Sequence, residues 1–204
     1  MADSVALDKL IEDLGSQDVL IRIEAKACLV AYGTRVTEPL ITILEIGTIR
    51  QVDSAIMALG EIGDPSAIEP LIKILYSSYA LLRIDAAKAL SAFHSPRVID
   101  VLLANLTDND QLVQTWVIDS LGKLGDLRAF EPLVMLLRET TSSMIRYMVI
   151  KTLGLLGDPR AIDYILPFTQ DENHHVTDYA HEALSKLGYT DIRHRNDSDF
   201  LGKG

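Results

Sequence analysis

The sequence predicts an all-α fold, a right-handed α-solenoid of about six stacked helix-turn-helix units. The first observation is a repeat. LGEIGDPSAIEPLIKIL at 59–75 returns as LGKLGDLRAFEPLVMLL at 121–137 and LGLLGDPRAIDYILPFT at 153–169, and in degraded form as LSAFHSPRVIDVLLANL at 90–106. A segment recurring about every 31 residues is a structural unit, because a catalytic site instead draws unlike residues to one point. The second observation is punctuation: each copy holds a helix stop followed at once by a helix start. The third is spacing, since apolar residues between these marks recur at helical intervals and no stretch alternates as a strand would.

The units lie near 3–32, 33–62, 63–93, 94–124, 125–156 and 157–188, and 189–204 reads as a flexible tail with too few apolar residues for a further helix pair. The stops are Gly33, Gly63, Gly125, Gly157 and Gly188, with His94 in the equivalent place of the unit that lacks the glycine. Glycine suits the left-handed position just past a helix because it has no Cβ to clash. Thr34, Asp64, Ser95, Asp126 and Asp158 follow as caps of the next helix, and Pro65, Pro96 and Pro159 as its first residue. Pro39, Pro70 and Pro132 fall inside the first helices, where they predict kinks. The second helices open on the caps Asp18, Thr48, Asp110, Ser142 and Asn173.

Two columns mark the buried stripe of the second helices: Leu29, Leu59, Leu90, Leu121, Leu153 and Leu184, and four residues earlier Ala25, Ala55, Ala86, Val117, Val149 and Ala180. Cys28 aligns with Ala58, Ala89, Ser120, Thr152 and Ala183 and so reads as an inert core thiol. The acids Asp8, Glu38, Glu69, Asp100, Glu131 and Asp163 also recur at the full period. They sit early in the first helices, where negative charge meets the positive end of the helix dipole, so their role is structural.

These columns, with the GDPxAIEPL turn and the second-helix arginines Arg22, Arg83 and Arg146, resemble the HEAT-like repeat of the phycobilisome-lyase type over about residues 3–188. Val52, Gln114 and Thr177 depart from the arginine column. The resemblance implies a stacked solenoid whose second helices line a concave face. It spans bilin lyase subunits, a hydroxylase branch and many scaffolds, so fold alone does not assign an activity.

Composition narrows the function. The chain of 204 residues has a formal charge of −10, which argues against a nucleic-acid surface. No apolar stretch approaches the roughly 20 residues of a membrane span. One cysteine excludes a disulfide framework or a CxxC site. The opening MADSVALDKLIEDL carries acids where a signal peptide would be apolar, so a cytoplasmic protein is expected.

On the expected concave face the exposed positions are Glu24, Asp53, Met57, Asp85, Trp116, Asp119, Tyr147, Met148 and Tyr179. Acids dominate its N-terminal half and large aromatics, including the sole tryptophan, its C-terminal half. Aromatics of this kind anchor binding hot spots. The expected function is a non-catalytic interaction scaffold or adaptor that binds a protein or peptide partner, with the acids steering a basic segment. The resemblance supplies the alternative: a subunit of a phycobilin lyase-type chromophore attachment factor, working with a second HEAT-like chain. A bilin would then stack on the aromatics and bond to Asp53, Asp85 or Asp119.

Catalytic chemistry finds little footing. His174, Asp178 and His181 fall at i, i+4 and i+7 of one helix and are the best metal candidate. They lack the HExxH order and a fourth ligand, so no metal is expected. The hydroxylase branch holds its irons with several His-Glu pairs, and only His181–Glu182 matches. A glycosylase of this fold needs a basic groove, and this one is acidic to neutral.

Overall fold

A computed structural model of the protein describes residues 2–189, with side chains from Ala6 onward. Among them every regular element is helical: α1 (Ala2–Asp13), α2 (Val19–Tyr32), α3 (Thr37–Ile46), α4 (Ile49–Ile62), α5 (Ile68–Leu75), α6 (Ala80–Leu90), α7 (Pro96–Ala104), α8 (Gln111–Leu124), α9 (Phe130–Glu139), α10 (Ser143–Leu156), α11 (Ala161–Ile165) and α12 (His174–Lys186). Odd-numbered helices are the first of each pair, even-numbered the second. The expected all-α solenoid of helix pairs is therefore the architecture of the chain. Its packing divides into two compact units, Met1–Leu124 and Gly125–Gly204. Apart from Tyr189, the expected tail lies outside the described residues. No described helix is long and apolar enough to cross a membrane.

The second helices start where the caps predict. Asp18 accepts from the Leu20 amide at 2.8 Å and Asp110 from that of Leu112 at 2.8 Å. Thr48 and Gln51 close a reciprocal capping box, Ser142 accepts from Ile145, and Asn173 from His175 and Val176. The first helices differ from expectation. Asp64, Asp126 and Asp158 cap as expected, at 2.9–3.0 Å from the amide two residues on. Ser95 makes no side-chain cap bond, and Thr34 lies within a 3-10 turn over Gly33–Val36.

The internal prolines produce no mid-helix kink. Each of three first helices splits into a 3-10 turn (Gly33–Val36, Pro65–Ala67 or Leu127–Ala129) and an α-helix whose third residue is Pro39, Pro70 or Pro132. In the opening turn of a helix an amide has no intrahelical partner, so proline there forgoes nothing. The five turn glycines take φ of 63–76°. His94 does not, since no described non-glycine residue has positive φ, and α6 closes instead through tight bonds such as Phe93 N–H to Leu90 C=O at 3.0 Å.

Within each compact unit the second helices pack side by side, α2 on α4, α4 on α6 and α6 on α8, and α10 on α12. Small residues permit close approach. A Cβ on Gly60 would stand 2.9 Å from Ala89 Cα, and one on Gly154 2.7 Å from Ala183 Cβ. Ser120 Oγ donates to the Ala87 carbonyl at 2.9 Å. The column of Cys28 is the seam of these contacts, and Ala58, Ala89, Ser120, Thr152 and Ala183 are buried in it. Cys28 itself is exposed, contrary to the sequence reading. It faces the side where each later helix meets its predecessor, and α2 meets no earlier second helix among the described residues.

Two of the column arginines clamp successive pairs. Arg83 grips Asp108 through Nε at 2.9 Å and Nη2 at 2.8 Å, and its Nη1 holds the Ser77 carbonyl at 3.0 Å. Arg146 pairs with Asp171 through Nη1 and with the Thr141 carbonyl through Nη2, and its buried Nε has no partner among the described residues. Arg22 holds the Ser16 carbonyl at 2.7 Å but has no clamping acid at the next turn. The position two residues before the Thr48 cap, where the later pairs place Asp108 or Asp171, is Ile46.

Candidate functional site

The expected binding residues form two patches, one in each compact unit. In the first, helical phase sets the arrangement: Asp53 on α4, Asp85 and Lys88 on α6, and Trp116 on α8 project from the same side of neighbouring parallel helices. The carboxyls of Asp53 and Asp85 share a hydrogen bond, and both are half-buried or more. Burial, then the adjacent Asp85, pushes Asp53 up to about 6, against the opposing pull of Arg22 and Lys88. Asp53 thus keeps its proton to a higher pH than an ordinary aspartate does.

Lys88 links this pair to the tryptophan. Its Nζ lies 3.3 Å from Asp85 Oδ1 and 4.1 Å from the centroid of the Trp116 ring. The ammonium shows that this ring face accepts a cation. Asp119, one turn along α8, pairs with Lys123 at 3.0 Å. Met57 is exposed on α4 and, with Asp53, Arg22, Lys26 and Ile23, lines a pocket of about 160 Å³ between α2 and α4. Glu24 is exposed on α2 and stands outside that lining.

The second patch is aromatic. Tyr147 on α10 and Tyr179 on α12 stack at 5.2 Å between centroids with planes 15° apart. His175, one turn before Tyr179, stands 6.5 Å from the Tyr147 ring. Both tyrosines are half-buried. Met148 does not belong here. It is only 7% exposed, because the step of 100° from Tyr147 turns it into the contact between second helices.

His174, Asp178 and His181 are all exposed on α12, and no group of three or more metal-ligating side chains gathers among the described residues. Sequence reasoning passed over Lys88 as an organising residue, and His175 and the Arg22 pocket as part of the surface. Lys88 and His175 were legible as the i+3 and i−4 neighbours of Asp85 and Tyr179. The pocket needed the packing of α2 on α4.

Comparison with known proteins follows this geometry. No curated protein sequence matches the chain. Among solved structures it resembles the complex of CpcE and CpcF of phycocyanin lyase from Nostoc sp. PCC7120, with TM-score 0.67 and 20% identity over 73% of this chain and 98% of that one. It also resembles human deoxyhypusine hydroxylase, with TM-score 0.55 and 19% identity over 92% and 75%. A designed armadillo repeat protein in complex with the peptide (KR)4 aligns with TM-score 0.52 and 19% identity over 89% and 99%. At such identities these likenesses show the fold. The sequence also matches the family described as HEAT repeats over residues 53–122, 68–148 and 131–193. With most of its length matched and its helix pairs stacked through the predicted columns, the chain belongs to the HEAT-repeat family.

Proposed function

We propose that this HEAT-repeat chain is a non-catalytic scaffold that binds a protein or peptide partner on its second helices, receiving a basic segment at Asp53 and Asp85. The observation that supports the reading is the seating of these two partly buried carboxyls side by side. Two carboxyls held together at a partly exposed surface are strained by repulsion and desolvation. A lysine or arginine side chain laid between them supplies a countercharge and relieves both. Trp116 offers the flanking aromatic face, and the Tyr147–Tyr179 stack an apolar anchor in the other unit. The chain's charge of −10 would speed the approach of a basic partner. Nothing in the geometry favours the bilin reading over this one, since the likeness to the lyase complex is one of fold.

The peptide (KR)4 is a suitable probe, titrated calorimetrically at pH 7. Asp53→Asn/Asp85→Asn is expected to weaken its binding by tenfold or more, and Trp116→Ala by a smaller factor. Equal affinity for wild type and the double variant would remove the acid pair from the function.

A further inference from the structure

The side of the first compact unit where first helices turn into second helices is apolar without a reason in the fold. Leu20, Ile46, Ile49, Tyr79, Leu81 and Leu112 stand there, each 51–77% exposed. Ile46 ends α3 and the others open α2, α4, α6 and α8, which pack side by side, so the six recur in a row along one end of the unit, with the exposed Thr48, Arg50 and Gln111 among them. The opposite side, where one pair turns into the next, carries Arg35, Asp64, Ser66, His94 and Arg97 instead. Exposed turns of this chain are therefore not apolar by default.

Two of the six replace residues the repeat uses elsewhere for stability. Ile46 stands where Asp108 and Asp171 receive the clamping arginines, so Arg22 has no acid at that turn and acts on Asp53 instead. Tyr79 is the N-cap of α6 and makes no cap hydrogen bond, whereas Asp18, Thr48, Asp110, Ser142 and Asn173 all do. Both positions give up a polar interaction that folding would favour and expose apolar surface in its place.

We infer that this row is a self-association surface, on which two copies of the chain pair face to face about a two-fold axis. The area fits. If each such side chain offers ~180 Å² when fully free, the row leaves roughly 700 Å² open, close to the ~800 Å² per partner of a stable interface. Charge fits as well. Copies that each carry −10 repel, and they meet most readily where the contact surface is uncharged, as all six of these side chains are. A two-fold axis needs only one self-complementary patch, with the row of one copy laid antiparallel on that of the other. This inference is independent of the peptide-binding reading, because none of the six residues belongs to the acid pair or the tyrosine stack.

Sedimentation equilibrium of the full chain up to about 100 µM, a range that captures interfaces of this size, tests it. Wild type is expected to dimerise. Ile46→Asp restores an acid for Arg22 and Tyr79→Asp restores a cap, so both keep the fold, as circular dichroism would verify. Each is expected to weaken the dimer tenfold or more. Arg35→Ala, on the opposite side, is expected to leave it intact. A wild type that stays monomeric overturns the inference and gives the row to another partner. A dimer indifferent to both variants, or one lost with Arg35→Ala, overturns it by placing the contact elsewhere.

Discussion

Asp53 and Asp85 show how single residues here are read only in pairs. Alone, Asp53 is one more acid on a helix surface. Beside Asp85 and half-buried, it holds its proton up to about pH 6. Its folded value lies above its unfolded one, so the native state binds the proton more tightly than the unfolded chain does. Stability therefore falls as pH rises from about 4 to 6, and the penalty is complete above 6. Asp53→Asn should accordingly stabilise the protein at pH 7 by about 1 kcal/mol, a figure reduced because solvent screens a half-exposed site. Below about pH 4 the gain should vanish. Urea unfolding of both proteins at pH 7 and pH 3.5 checks the sign and the window. Cys28 and Met148 carry the same lesson in reverse. Their types and columns were legible in the sequence, and their exposure depended on which neighbour stood beside them.

At the scale of elements, the second helices owe their spacing to small residues rather than to large ones. Gly154 meets Ala183 so closely that a methyl group has no room, and its nearest contacts are a backbone Cα at 2.9 Å and the Ala183 Cβ at 2.7 Å. In an isolated helix Gly154→Ala would stabilise by about 1 kcal/mol. Between α10 and α12 the overpacking outweighs that gain, and a net loss of roughly 1–2 kcal/mol is expected. Thermal unfolding should show it as a lower Tm. The arginine clamps act on the same scale. Arg83 and Arg146 fasten the turn of one pair to the turn of the next, and Arg83 does so with bidentate geometry that lysine cannot reproduce. Caps and turn glycines were legible because they are local chemistry, and Asp18, Thr48, Asp110, Ser142 and Asn173 all cap as read. The 3-10 entries of the first helices were not, because the proline signal for a kink and that for a first-turn proline are the same residue. Only the helix start, set by packing, separates them.

The whole molecule carries 29 acids against 19 lysines and arginines, so any basic partner is attracted before contact. On the proposed reading, binding at the Asp53–Asp85 pair displaces any proton that Asp53 holds. Affinity for (KR)4 should therefore fall as pH drops through 6, and far less so in Asp53→Asn. Calorimetry at pH 7.5 and pH 5.5 measures the difference. The sequence by itself determined the repeat, the helix ends and the all-α class, because a period, a glycine stop and a capping side chain each act within a few residues of chain. The aromatic and acidic residues of the second helices were legible for the same reason, as positions on a helical stripe. Only the tertiary structure decided which of them meet. The pairing of Asp53 with Asp85, the seat of Lys88 over Trp116, the burial of Met148 and the opening of Cys28 all depend on neighbouring helices about 30 residues apart in sequence, whose distance and rotation are fixed by packing.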